Sequence, residues 1–437
     1  MSEKKTTAMK STETAKEGYR FVKRLYAKAR EASSRGAPVA WVMGGLLAEE
    51  MLYAMDVVPI YPENYGGVCA AKKGADPFLK AADAEGYSTH LCGYVRTGIG
   101  HAIKRKQLGM VPPDAPEGGM ADPVMLVGSS ACCDPRYKWF QALGRYMNVP
   151  YIAYDIVPDP VQCSVDPDEV KEYVIAYLIE EFRRFRDFLE KTLGRKMDDA
   201  RLMEAVVTGE ETRNWWWKCD MIRRAVPCPM PTEDMFSCFV PGLFYAPDPE
   251  SLEFFKKLYA ELEHRVQNKM GVIPDEKYRL LWGWGLPPWH SMNIFNHFEE
   301  RGAVFVAETC YTPYGPFEEG YKYSDPIERM ARGRFHRANF KMKKAYGNRL
   351  NREAQYVVDF VDEFRCDGLV QHQVLSCPAR TIGQRACMDM IKKFVDVPVM
   401  FLEGDIVDES GYSETQTKAQ IDAFIEILEA HKRKGRS

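Results

Sequence analysis

Cys92, Cys133 and Cys377 are the residues of this sequence best placed to do chemistry, because all three share one local setting. Cys92 stands just before a helical pattern that starts near Gly93. Cys133 follows an apolar strand at 123–128 and precedes Asp134-Pro135, a good N-cap with proline at the first helical position. Cys377 follows a strand at 367–375 and precedes Pro378, again a helix opening. A helix N-terminus favours an anion, a thiolate included. In an open parallel sheet, ligands bind in the crevice beyond the strand C-ends. Iron–sulfur clusters need thiolates, usually from four cysteines. Three thiolates drawn from two facing halves would leave one iron open to solvent, substrate, a bridging sulfur or another side chain. The plainer alternative is that these cysteines, like most of the twelve, are small buried apolar residues. Cys69, Cys163, Cys219, Cys228, Cys238, Cys310, Cys366 and Cys387 are read that way, although Cys69 and Cys310 also lie near strand ends.

The elements that position these residues follow from the hydrophobic pattern. Strands at 38–44, 57–62, 123–128 and 150–157 alternate with helices at 46–55, 93–106 and 134–147. Residues 167–225 and 249–268 read instead as long amphipathic helices rich in Glu, Arg and Lys. Strands then return at 278–285, 302–309, 367–375 and 398–404, with helices to about Glu300, over 326–364 and near 414–432. The expected fold is α/β, with two Rossmann-like parallel-sheet halves joined by a helical segment. Residues 1–17 are expected to be a mobile tail. Residues 18–165 form an N-terminal α/β domain with Cys92 and Cys133, 166–270 a helical connector, and 271–437 a C-terminal α/β domain with Cys377.

Composition sets the outer limits. The 437 residues are 46% hydrophobic and 28% charged, which suits a globular chain of two or three domains. A net charge of −3 predicts no general affinity for nucleic acid or membrane. The start of the chain has no apolar signal segment. The longest apolar run, 39–48, is ten residues with two glycines, well short of the roughly 20 that a membrane span needs. A cytoplasmic protein is expected, and in a large chain of that kind cysteines point to metal or redox chemistry before disulfides. There is no P-loop, HExxH or GxSxG. Gly283-Trp284-Gly285 runs into Pro287-Pro288 and fails the dinucleotide fingerprint.

HLCGYVRTGIG (90–100), SSACCDPRYKWF (129–140) and VLSCPARTIGQ (374–384) resemble the three cysteine segments of the benzoyl-CoA reductase/2-hydroxyacyl-CoA dehydratase family. WVMGGLLAEEMLYAMDVVPIYPENYGG (41–67) resembles that family's first strand–helix–strand unit. The similarity runs over most of 38–165 and again over about 278–430. The size, the PEN segment and the KWF after the second cysteine most resemble the larger cluster-bearing subunit of ATP-dependent benzoyl-CoA reductases. Carried over position by position, the family's ligands for a [4Fe-4S]-type or larger cluster fall on Cys92, Cys133 and Cys377. Cys133 is preferred to its neighbour because a family cysteine stands five positions before the lysine of KWF, here Lys138. The doubled cysteine departs from the commoner single one and leaves Cys132 as an alternative ligand.

The resemblance implies that low-potential electrons pass to an aromatic or acyl CoA thioester beside the cluster, followed by protonation. Glu63, His372 and His90 are the candidate proton donors, with a hydrogen-bonded structural role as the alternative for each. Glu63 leads because the matching loop of the family borders the substrate pocket. A CoA thioester carries phosphates, and 329–349 holds Arg329, Arg332, Arg334, Arg337, Lys341, Lys343, Lys344 and Arg349 with no acid among them. Arg332, Arg334, Arg337, Lys341 and Lys344 are the expected phosphate clamp, against a solvated helix face or a subunit contact. Trp215-Trp216-Trp217 and the tryptophans of 282–285 could line an aromatic pocket or pack a core. The implied partners are a second cluster-bearing subunit of the same family, an ATPase of the actin/acetate-kinase type that would bind ATP, and ferredoxin as electron donor. A redox-neutral 2-hydroxyacyl-CoA dehydratase subunit, a scaffold subunit whose cysteines hold no iron, and an ATP-dependent reductase of other small molecules are the alternatives.

Overall fold

The computed structural model describes residues 8–45, 48–130, 133–155 and 165–434. The first half runs α1 (Glu13–Ser34), β1 (Val39–Val42), α2 (Glu49–Ala54), β2 (Val58–Ile60), α3 (Pro62–Ala71), α4 (Asp76–Ala84), α5 (Gly93–Leu108), β3 (Met125–Ser129), α6 (Asp134–Met147) and β4 (Tyr151–Tyr154). The middle holds α7 (Pro167–Leu193), α8 (Asp199–Met221), α9 (Thr232–Phe239) and α10 (Pro249–Gln267), with a π-helical turn at Val240–Phe244. The second half runs β5 (Tyr278–Gly283), α11 (Ile294–Glu299), β6 (Ala303–Glu308), α12 (Pro326–Asn339), α13 (Met342–Asn348), α14 (Arg352–Glu363), β7 (Gly368–Val374), α15 (Pro378–Thr381), α16 (Gln384–Ile391), β8 (Val399–Gly404) and α17 (Glu414–Lys434).

Among the described residues the strands form two four-stranded sheets, ordered β2-β1-β3-β4 and β6-β5-β7-β8, with every pairing parallel. Continuous apolar strands such as β1, β5 and β6 are buried along their whole length, because helices cover both faces. The two halves share one topology. In each, the chain leaves the first strand, adds the second on one side, then crosses to add the third on the other. That reversal opens a crevice beyond the C-ends of the first and third strands.

The helices between the sheets are not a detached layer. Val174, Phe182, Phe185, Trp216, Phe255 and Leu262 belong to the same apolar core as β1 and β3. Helix α12, in the second half by sequence, also contributes Ile327, Met330 and Phe335 to that core. A buried network ties the middle to the second sheet: Arg223 pairs with Glu308 at 2.8 Å and with Asp220 at 2.7 Å.

Two sequence expectations need correction. Residues 8–17 are docked rather than mobile. The backbone N–H groups and hydroxyls of Ser11 and Thr12 donate to Asp234, Met9 N donates to Asn296, and α1 has begun by Glu13. The sequence does not show this because the anchoring acid lies more than two hundred residues away. Glu63 sits in the first turn of α3 rather than in a loop, since Pro62 pre-sets the helical φ at its first position.

Candidate active site

Cys92, Cys133 and Cys377 occupy the N-cap positions of α5, α6 and α15. Cys133 and Cys377 stand in matching places, each beyond the third strand of its own sheet. Contacts between the halves seat the opening of α5 against the loop after β8, and the charge of Cys377 acts on Cys92. A Cβ at Gly93 would lie 2.7 Å from Val407 Cβ and 2.8 Å from Asp405 Oδ1, so only glycine lets α5 open against the loop after β8. Asp405 accepts from Ser376, next to Cys377, and from the backbone of Val407 and Asp408. Arg96, on the next turn of α5, bridges Asp83 at 2.7 Å and Asp408 at 2.9 Å. Burial pushes the Cys92 thiol up. The backbone N–H groups of Val95 and Tyr94 pull it down, and the nearby Cys377 raises it further. Burial dominates, so Cys92 is held as a thiol and a thiolate there would need a cation beside it. Among the described residues no three His, Cys, Asp or Glu side chains stand together as a metal site, and Cys132 lies outside the described residues. The described residues thus leave Cys133 apart from Cys92 and Cys377 as a donor group.

Glu63 is held from the first half. Its Oε2 accepts from Gly44 N at 2.7 Å and from Arg136 Nη2 at 2.9 Å, and its Oε1 lies 2.5 Å from Arg136 Nε. Arg136 Nη2 also donates to the Gly44 carbonyl. Gly44 follows β1, Glu63 follows β2 and Arg136 is in the first turn of α6 beyond β3, so this cluster sits at the reversal of strand order.

A cluster of aromatic rings packs against α3 and α5. Trp289 Nε1 donates to Tyr94 Oη at 2.5 Å, and Tyr94 Oη lies 3.2 Å from Tyr311 Oη. Phe239 stacks on Tyr311 at 4.5 Å. Gly66 and Gly67 on α3 give these rings room: a Cβ at Gly66 would lie 2.8 Å from the Tyr94 ring, and one at Gly67 3.3 Å from that of Trp289. Arg136, Tyr94, Tyr311 and Trp289 were not singled out in the sequence. For Arg136 a signal existed, since it stands three residues past Cys133 inside the segment that carries the family resemblance.

The other candidates sit elsewhere or are already engaged. His372 is buried in β7. Its Nδ1 must donate to the Leu286 carbonyl, 2.5 Å away, because a carbonyl only accepts. Burial pulls its pKa down to about 4, so it is a neutral tie between β7 and the turn after β5. His90 is exposed on the loop before α5.

The expected phosphate clamp is not presented as free positive charge. Arg332 pairs with Glu172 and Glu328, Lys341 with Asp359 and Glu363, and Lys344 with Asp359. Arg337 is buried and donates to Asn214 and the Gly315 carbonyl, and burial pulls it down to about 9. Arg334 lines a cavity of about 20 Å3 with Glu50 and Glu210. The acids absent from 329–349 arrive from α2, α7, α8 and α14, which no local reading of that run could show. The tryptophan run also packs inward: Trp216 stacks on Phe255, Trp217 meets Phe340, and Trp282 is buried with its Nε1 bonded to Gly285.

No helix of the described residues is long and apolar enough to cross a membrane. The family described as 2-hydroxyglutaryl-CoA dehydratase, D-component, matches residues 47–428. The (R)-2-hydroxyisocaproyl-CoA dehydratase alpha subunit of Clostridioides difficile is 25% identical, over 94% of this chain and 95% of that protein. The alpha subunit of the lactoyl-CoA dehydratase of Anaerotignum propionicum is 25% identical, over 92% and 93%. A benzoyl-CoA reductase subunit of Thauera aromatica is also 25% identical, over 89% and 88%. With two matching parallel sheets, helix-opening cysteines and a family match over most of its length, the chain belongs to the 2-hydroxyglutaryl-CoA dehydratase D-component family, which spans 2-hydroxyacyl-CoA dehydratase and benzoyl-CoA reductase subunits.

Proposed function

We propose that this chain is the cluster-bearing subunit of an enzyme that delivers low-potential electrons to the acyl group of a CoA thioester, with ring reduction of an aromatic acyl-CoA as the first assignment. The helix-opening positions of Cys92 and Cys377, near enough for the charge of Cys377 to act on Cys92, support the reading. Cys133 or Cys132 supplies the third thiolate. When bound, the cluster supplies electrons at low potential and an open iron position. The chain's own residues do the rest. Phe239, Tyr311 and Trp289 form an apolar wall that excludes water and suits an aromatic acyl group. Glu63 is the group set to move a proton at its carboxyl oxygens, oriented by Arg136 and Gly44 N.

The second reading is a 2-hydroxyacyl-CoA dehydratase subunit, favoured by relatives of that name that match this chain over nearly its whole length. Relatives named as single subunits of dehydratases and of a reductase support an assembly with a second family subunit. An ATP-hydrolysing activator and a ferredoxin are the electron source that such an assembly would need, and a reducing cytoplasm suits its thiolates. Turnover separates the two chemistries. The purified assembly is given benzoyl-CoA and, separately, 2-hydroxyisocaproyl-CoA, with reductant consumption followed anaerobically. A reductase consumes electrons in step with product. Product formed after only a catalytic amount of reductant assigns the dehydratase, and turnover of neither thioester refutes both.

A further inference from the structure

The residues that follow β8 belong by sequence to the second half but pack with the first. Ile406 and Val407 are buried in the apolar core that contains β1 and β3. Asp408 pairs with Arg96 of α5 at 2.9 Å. The Ile406 carbonyl accepts from Trp289 N at 3.3 Å, and the Asp405 carbonyl accepts from His290 Nε2 at 2.9 Å. The loop is a clasp that the second half extends into the first.

Asp405 shapes the clasp. Its Oδ1 accepts from the backbone N–H groups of Val407 and Asp408 at 2.8 Å and 3.0 Å, which turns the chain. A plain turn needs no more than that, and Asp405 makes two further contacts. Its Oδ2 accepts from the Ser376 hydroxyl, and Ser376 immediately precedes Cys377. Leu375 N donates to the Gly404 carbonyl at 2.9 Å, so the two segments leave their strands side by side. On its other side, Asp405 Oδ1 would lie 2.8 Å from a Cβ on Gly93, which immediately follows Cys92. One carboxylate is thus bonded to the neighbour of one cysteine and packed against the neighbour of the other.

We propose that Asp405 is a positioning residue that sets the helix openings at Cys92 and Cys377 side by side. Its bearing on the reaction rests on the proposed function, which gives these thiols their work. The placement itself comes from hydrogen bonds and packing within the chain, so it can be tested on the thiols alone.

The probe is dibromobimane, which joins two thiols within its short reach: each thiolate displaces one bromide. It is applied to the anaerobic full-length protein after any iron has been assayed and chelated, and bridged peptides are identified by mass spectrometry. Wild type is expected to yield the Cys92–Cys377 bridge. Asp405→Ala should lower that yield about tenfold, the worth of one or two hydrogen bonds. Asp405→Asn should restore it, because its side-chain oxygen still accepts from Val407 N and Asp408 N and its amide can donate to the Ser376 hydroxyl. Ser376→Ala keeps the turn and loses only the link to Cys377, so its yield should fall between those of wild type and Asp405→Ala, and it carries the test if Asp405→Ala fails to fold. A wild-type yield in both alanine variants, or an Asp405→Asn yield as low as that of Asp405→Ala, overturns the role of Asp405. So does a wild type that holds iron as purified but gives no bridge. A wild type with neither iron nor bridge overturns the cluster-bearing function as well.

Discussion

Arg136 on α6 and Glu63 on α3 meet face to face, with Nε 2.5 Å from Oε1 and Nη2 2.9 Å from Oε2. Together they join segments that follow the second and third strands of the first sheet. Glu63→Gln keeps an acceptor for Gly44 N but removes the charge facing Arg136 and the exchangeable carboxyl proton. We expect turnover to fall by about 10²-fold or more, with some loss of thermal stability because the mostly buried Arg136 loses its counter-charge. Arg136→Ala should lower turnover through loss of orientation. Steady-state kinetics check both, and a Glu63→Gln enzyme of wild-type turnover removes Glu63 from the mechanism.

The basic residues of 329–349 should act on stability, not on ligand affinity. Lys341 is buried between Asp359 and Glu363, and Lys341→Ala takes one cation from each while Lys344 and Arg224 still pair with them, at a cost of about 1.5 kcal/mol. Arg332→Ala breaks more exposed pairs and should cost less than about 1 kcal/mol. Urea unfolding measures both. CoA-thioester affinity should be unchanged in Arg332→Ala, and a loss of affinity there would restore the phosphate clamp.

Glu49 gives the fold a pH dependence. Its carboxyl oxygens are buried without hydrogen bonds, and burial, with Glu50 beside it, pushes its pKa up from 4.5 to about 7. The folded state therefore holds this proton more tightly than the unfolded chain does. Stability from this group is full below about pH 4.5 and falls as pH rises towards 7, where the carboxylate forms in both states. Glu49→Gln should be more stable than wild type by on the order of 2–3 kcal/mol at pH 8, with the difference shrinking towards pH 5. An equal difference at both pH values would contradict this.

Much of the scaffold could be read in the sequence because its signals are local. The Asp134-Pro135 opening fixed the start of α6, Asn148 in the left-handed conformation closes it, and continuous apolar runs marked the buried strands. The helix-opening setting of Cys92, Cys133 and Cys377 was equally visible. What stayed hidden depends on contacts between distant segments. Gly93 shows its purpose only against Asp405 and Val407, Tyr311 only against Tyr94, and the lysines of α13 only against the acids of α7 and α14. His372 looked like a proton donor because the sequence does not show the Leu286 carbonyl that takes its Nδ1 proton.

The central claim is that thiolates from both halves hold one cluster. Its most direct test is iron and acid-labile sulfide analysis with EPR on anaerobically purified wild type and on Cys92→Ala, Cys377→Ala, Cys133→Ala and Cys132→Ala. The account predicts iron and sulfide in wild type, loss or an altered spectrum in Cys92→Ala and Cys377→Ala, and the same in one of the two neighbouring cysteine variants. A wild type without iron, or Cys92→Ala and Cys377→Ala proteins with an unchanged spectrum, would contradict it.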